Sequence, residues 1–284
     1  MGFLGAHMSI AGGLYKAIER GDEVGCESIQ IFTQSSRTWK TEPLKEEEIS
    51  AFKTAFKKAK VVKRVVAHNS YLLNLSTDNS EVRKKSIDFF VAMMERCEAL
   101  GIESLITHPG SHLGAGEEIG LKRTSQSLNE VLKCCAGFKT DLLIENTAGQ
   151  GGCVGHSFEH LQKIVEQTQH SEKIFFCFDT QHAFAAGYDL RNKAAYEKVF
   201  KEFDKKLSLK QLKAFHLNDA QKDIGCRVDR HANLGKGFLG IEAFRPLVTD
   251  KRFKNLPMCL ETAPGEEMEN YRTELAQLKM MRSS

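Results

Sequence analysis

The sequence is poor in the residues and runs that mark special environments. It has five prolines and one tryptophan in 284 residues, and no Pro/Gly/Ser-rich linker or low-complexity tract interrupts it. One domain spanning 1–284 is therefore expected, at a length that α/β barrels commonly reach as a single unit. No apolar run approaches the length needed to cross a bilayer. The opening MGFLGAHMSIAGG lacks the basic segment of a secretion signal. Eight cysteines are present, but none forms a CxxC pair and no disulfide-scaffold spacing occurs, so reduced, mostly buried thiols in a cytoplasmic protein are expected. Charge of one sign is also scarce: 40 basic against 37 acidic side chains leave a net +3. That balance permits a nucleic-acid partner without demanding one, and any basic surface must be local.

What the sequence has in quantity is short apolar runs that stop at a polar residue. FLGAH ends at His7, SIQIFT at Thr33, RVVAH at His68, SLITH at His108, DLLIE at Glu145, IFFCFD at Asp179, LKAFH at His216 and MCLE at Glu261. The steps between these ends are 26, 35, 40, 37, 34, 37 and 45 residues. Charged segments of helical period lie between them: EEEISAFKTAFKKAK (47–60 and its flank), SEVRKKSIDFFVAMMERCEALG (80–101) and SFEHLQKIVEQTQ (157–169). Strand and helix alternating at this spacing build a parallel sheet. Eight repeats fit an α/β fold of one kind, the (β/α)₈ TIM barrel, whose active sites lie at the C-terminal mouth.

The third to eighth strands then deliver His68, His108, Glu145, Asp179, His216 and Glu261 to one mouth. A lone strand-end histidine or aspartate is usually a hydrogen-bonded or capping residue. As a set, the three carboxylates would repel one another with no Lys or Arg at a neighbouring strand end. Bound cations remove that conflict, and imidazole with carboxylate is the ligand set expected of zinc, with manganese or iron as alternatives. His182 follows one turn after Asp179. In CRVDRHANLGKG, Asp229 and His231 alternate around Arg230, so an extended segment aims both to one side. Nine ligands suit about three zinc ions rather than one. GKGFLG (235–240) satisfies GxGxxG but follows a loop, so it reads as a glycine turn allowing close backbone approach. The basic runs 53–64 and 205–213 read as solvated helix faces.

These residues resemble the endonuclease IV family, through AHNSYLLNL (67–75), THPGSHL (107–113), IENTAGQGG (144–152), FDTQHAFAAGYDLR (178–191), HLNDAQKDIGCRVDRHANLGKGFLG (216–240) and LET (260–262). The resemblance implies a zinc-dependent hydrolase of base excision repair. Such an enzyme cuts double-stranded DNA 5′ to abasic sites and leaves a 3′-hydroxyl and a 5′-deoxyribose phosphate. It further implies one zinc on His68, His108 and Glu145, a second on Glu145, Asp179, His216 and Glu261, and a third on His182, Asp229 and His231. In phosphodiester chemistry, Glu145 or Glu261 would assist with the proton of the attacking water. Arg37, Tyr71 and Leu72 would enter the duplex as the DNA-binding wedge of a monomeric enzyme. Three positions depart from the family pattern: Gln181 replaces a usual Cys, Gln221 a usual Lys, and Cys226 a usual Ser or Ala. A metal-dependent sugar isomerase or epimerase of the same barrel type is the alternative, and a non-enzymatic damage-recognition protein with structural metals is a second rival.

Overall fold

Residues 1–283 are described by a computed structural model. Its strands are β1 (Phe3–His7), β2 (Ser28–Ile31), β3 (Arg64–His68), β4 (Ser104–Thr107), β5 (Asp141–Glu145), β6 (Ile174–Asp179), β7 (Leu212–His216), β8 (Asp219–Ala220), β9 (His231–Ala232) and β10 (Pro257–Leu260). The long strands close into a parallel barrel in the order β1-β10-β7-β6-β5-β4-β3-β2, while β8 and β9 form a separate small ladder. The helices are α1 (Leu14–Val24), α2 (Glu46–Lys58), α3 (Ser80–Leu100), α4 (Glu117–Cys134), α5 (Phe158–Glu166), α6 (Thr180–Ala186), α7 (Lys193–Leu207), α8 (Phe244–Thr249) and α9 (Glu269–Ser283). None of these helices is long and apolar enough to cross a membrane.

Local chemistry sets the element bounds. In α1 the residues Leu14, Ala17, Ile18, Gly21 and Val24 recur at helical spacing and are all buried. That helix stops at Gly25 in the left-handed region. The Asn79 side chain caps α3 by accepting from the Glu81 and Val82 amides at 3.0 Å. The second run was expected to reach Thr33, but β2 ends at Ile31. Phe32 and Thr33 already belong to the loop leading to Arg37.

The two-residue pleat sorts every strand into an outer and an inner set. On β6, Ile174, Phe176 and Phe178 join the large core between barrel and helices. Cys177 instead joins Val66, Ile106, Leu143, Ala214 and Cys259 in a small apolar plug, with one residue from each of six strands. Two residues further along the chain come His68, His108, Glu145, Asp179, His216 and Glu261; His108 and Glu261, expected as strand ends, lie one residue past β4 and β10. The remaining two strands follow the same parity with Gly5 and His7, and with Ser28 and Gln30. Gly5 is pressed so close to Ser28 that a Cβ there would sit 1.6 Å from the Ser28 carbonyl oxygen. Closure joins the chain ends: β1 pairs with β10 from Phe3↔Pro257 to Ala6↔Leu260. Arg282 of α9 grips Glu27 at 2.6 and 2.7 Å, and Glu27 also accepts from the Leu4 amide.

Five cysteines are buried (Cys26, Cys97, Cys135, Cys177 and Cys259), and all eight are free thiols.

Candidate metal centre

Glu145 is the hub of the barrel mouth. Its side chain is fully buried, and each carboxylate oxygen faces two imidazoles. Oε2 lies 2.9 Å from His68 Nε2 and 3.1 Å from His108 Nε2. Oε1 lies 3.0 Å from His216 Nδ1 and 3.1 Å from His182 Nδ1. Glu261 Oε2 is 3.3 Å from the same His216 nitrogen. Asp179 caps α6 through Oδ1, which accepts the His182 amide at 2.7 Å, and its Oδ2 accepts from Asn218 Nδ2 at 2.6 Å. Asp229 Oδ1 stands 3.3 Å from His182 Nε2 and 3.4 Å from His231 Nε2.

The donor atoms fall into three compact groups: His68, His108 and Glu145; Glu145, Asp179, His216 and Glu261; and Asp179, His182 and His231, with Asp229 against the two histidines. All nine ligand candidates read from the sequence thus meet at one mouth. The third group differs from expectation in one respect: Asp179 reaches it as well as the second. Two buried nitrogens, His108 Nε2 and His231 Nε2, lack a hydrogen-bond partner although carboxylate oxygens lie close by. Donors that converge without hydrogen-bond alignment suit a cation between them.

The surrounding side chains fix tautomers. His68 Nδ1 donates to the Asn69 carbonyl at 2.6 Å, which leaves Nε2 as a lone pair toward Glu145. Asn146 holds the Asp179 backbone on both sides, accepting from its amide at 2.8 Å and donating to its carbonyl at 3.1 Å. Gln30, which sequence reasoning missed, donates to Glu261 Oε1 at 2.6 Å and accepts from His216 Nε2 at 2.7 Å. His7 completes this side, with Nδ1 facing the Gln30 amide at 3.1 Å. Burial pushes His7 down to about 4, so it stays neutral. The signal for Gln30 was a polar residue at an inward position of SIQIF.

Three glutamines hold the segment that presents Asp229 and His231. Gln181 donates to the Val228 carbonyl at 2.9 Å, Gln150 accepts from the Asp229 amide at 2.9 Å, and Gln221 donates to the His231 carbonyl at 2.8 Å. The Gln181 and Gln221 departures therefore have a structural role here. The glycine turn behaves as expected: a Cβ on Gly237 would meet the Ala220 oxygen at 2.4 Å. Asp219 gathers this loop by accepting amides of Gly235, Gly237 and Leu239 at 2.9, 3.1 and 2.9 Å.

The candidate DNA-contacting residues stand around the rim. Tyr71 is 64% exposed, Arg37 is exposed and Leu72 is half-buried. The loops carrying them are tied together by Ser70 Oγ donating to the Ser36 carbonyl at 2.7 Å. Arg37 shares a cleft of about 860 Å³ with Glu261, His7 and Tyr271.

Charge in the mouth is balanced by histidine. Burial alone would raise Glu145, but the neighbouring imidazoles, His216 and His108 foremost and then His182, hold it well below the usual carboxylate range. Burial likewise opposes charge on His216 and His182. Cys177, Glu261 and Glu145 nevertheless raise His216 well above its ordinary value, and Asp179, Asp229 and Glu145 do the same for His182. Glu261 is held down to about 2, against its burial, chiefly by His216. The carboxylates thus favour a proton on both imidazoles, and a cation bound by them must displace it. Zinc binding is expected to release protons and to tighten with rising pH, by about tenfold per pH unit for each proton released, until the raised histidine values are passed. Calorimetry in buffers of different ionisation enthalpy checks this; a pH-independent affinity with no proton release would contradict the network.

A family model described as a xylose isomerase-like TIM barrel matches residues 18–281. A protein of Chloroflexus aurantiacus named "probable endonuclease 4" is 47% identical over 277 residues, covering 98% of this chain and 97% of its own. The crystal structure of endonuclease IV from Thermus thermophilus superposes with a TM-score of 0.85 at 34% identity, covering 98% of this chain and 99% of that one. A D-tagatose 3-epimerase-like protein superposes with a TM-score of 0.73 at 17% identity over 99% of this chain and 98% of its own, and shares the fold alone.

Proposed function

This chain belongs to the endonuclease IV family, and we propose that it is a zinc-dependent DNA-repair endonuclease that cleaves the phosphodiester 5′ to an abasic site. The products are a 3′-hydroxyl and a 5′-deoxyribose phosphate. The enzyme acts on double-stranded DNA as a cytoplasmic monomer folded as one domain, 1–284. The observation that carries the reading is Glu145, whose two oxygens each serve a different ligand group.

The donor set fits the ions. His68, His108 and Glu145 would hold one zinc; Glu145, Asp179, His216 and Glu261 a second; His182, Asp229 and His231 a third. Zinc in such sites lowers the pKa of water toward neutrality and offsets negative charge on a phosphate. The chain's own groups do the rest. Glu261 is the carboxylate of the inner pair that water can reach: its side chain is 19% exposed, whereas Glu145 is 0% exposed. It borders the cleft where Arg37 can meet a phosphate, so it can take the proton of the attacking water. Gln30 fixes the orientation of Glu261 from below. Tyr71 and Leu72, on the rim, are placed to wedge the duplex, and unstacking costs least at a position already lacking its base. Sugar epimerisation would leave Asp229 and His231 without a task, and turnover of ketoses but not of abasic duplex would favour it.

Protein purified without added metal is expected to carry about three zinc ions per chain. It should also nick an abasic duplex to a 3′-hydroxyl end; a single zinc equivalent or mainly magnesium would sink the three-ion reading. Glu145→Gln is expected to bind that duplex but to nick it at least ~100-fold more slowly, and near-normal nicking would remove Glu145 from the mechanism. Truncating Tyr71 and Leu72 together to Ala should leave zinc content unchanged and weaken abasic-duplex binding by roughly 1–3 kcal/mol. Arg37→Ala should in addition flatten the salt dependence of binding. Wild-type affinity in the double variant, measured by salt titration, would make these side chains rim packing only.

A further inference from the structure

Outside the barrel mouth, a second cluster of ligand-type side chains lies between α4 and α5. Glu117 opens α4, His156 precedes the cap of α5, and His160 lies in its first turn. Both histidines are buried, each at 8% exposure, while Glu117 is exposed. Their ring centroids are 4.4 Å apart. Glu117 Oε1 stands 3.7 Å from His156 Nε2, and Oε2 stands 3.6 Å from His160 Nε2. These separations are too long for hydrogen bonds. They are close to the ~3.4 Å edge that donors make around a tetrahedral ion with bonds of about 2.1 Å.

We propose that Glu117, His156 and His160 form a separate site for a divalent transition cation of the zinc class, with a fourth position open to water. His156 is already oriented for it: Nδ1 donates to the Cys153 carbonyl at 3.3 Å, leaving the Nε2 lone pair toward Glu117. The neighbouring carboxylates are otherwise engaged, Glu118 with Lys163 and Glu159 with Lys206. Glu117 makes its ion pairs with the two histidines, although Lys163, paired to Glu118, is near enough to feel its charge.

Two features make this site weaker than the mouth. The Gly155 amide reaches His160 Nδ1 at 3.3 Å, and this long contact is given up when the ring proton moves to Nδ1. Two helix N-termini also oppose a cation. The site therefore fills after the mouth.

Its position is next to two loops of the mouth. The loops leading into α4 and α5 are laced together: Ser111 bridges Cys153, the His112 amide meets the Gly152 carbonyl at 2.9 Å, and the Val154 amide meets the Gly110 carbonyl at 3.0 Å. One of these loops begins at His108 and the other carries Gln150, which holds Asp229. An ion at Glu117, His156 and His160 pins the ends of both.

The test is a zinc titration of the full chain by calorimetry, with bound metal counted after equilibrium dialysis. Glu117→Gln and His156→Phe are each expected to bind one zinc fewer than the parent, lost from the weaker phase. The tight phase and the nicking rate at saturating zinc should be unchanged. Glu117 is at the surface, so its variant needs no repacking and stands if the histidine variant fails to fold. The difference is read against the parent, whatever number of ions the mouth holds. Equal zinc in parent and variants, or loss from the tight phase instead, would overturn the proposal.

Discussion

The structure depends on the two-residue period of a β-strand. Because side chains alternate, a strand that places a small apolar residue in the barrel interior must place its next inward residue one layer higher. All eight barrel strands obey this. Val66, Ile106, Leu143, Cys177, Ala214 and Cys259 fill the interior, and the layer above them is entirely polar: His7, Gln30, His68, His108, Glu145, Asp179, His216 and Glu261. A slip of one residue in any strand would send a polar group into the helix-facing core. The dry plug and the polar mouth are therefore two consequences of one constraint. The mouth rests on a floor that excludes water, which makes every interaction in it stronger.

Histidine makes that layer tolerable without an ion. Glu145, Asp179 and Glu261 would repel one another in a dry site, yet His182 and His216 carry the protons that balance them. The same groups that balance the carboxylates are those an ion must strip of protons. Loading and proton release are thus one event. Amides complete the arrangement: Gln30, Asn146 and Asn218 can donate and accept together, so they orient carboxylates without adding charge.

Much of this was legible in the sequence. The eight runs gave the barrel, and strand ends gave His68, His108, Glu145, Asp179, His216 and Glu261, because a titratable residue closing an apolar run breaks the pattern visibly. His182, Asp229 and His231 were found by local spacing. Gln30 was not, because an amide inside SIQIF carries no charge to mark it, and because extending that run to Thr33 hid which residue shares a layer with His7. Asn146 and Asn218 were missed for the related reason that they lie just past strand ends and act by hydrogen bonding alone. Glu117, His156 and His160 were not singled out: they come from the start of α4, the loop before α5 and the first turn of α5, and only packing of α4 against α5 brings them together. Asp179 shows why single residues mislead. It is the cap that a cautious reading expects, and it also stands among the ligand candidates.

The joining of β1 to β10 has a consequence for synthesis. Synthesis delivers β1 before the other barrel strands and β10 after them, so the barrel stays an open, curled sheet until β10 has emerged. Most of the ring, from His68 to His216, can assemble in that time, but Glu261 arrives only with the final strand. The side of the mouth built from His7, Gln30 and Glu261 is thus the last to exist. A released chain missing its final segment would be a partial ligand cradle with an exposed strand edge, and Arg282 clasping Glu27 is the latch that ends that vulnerable interval.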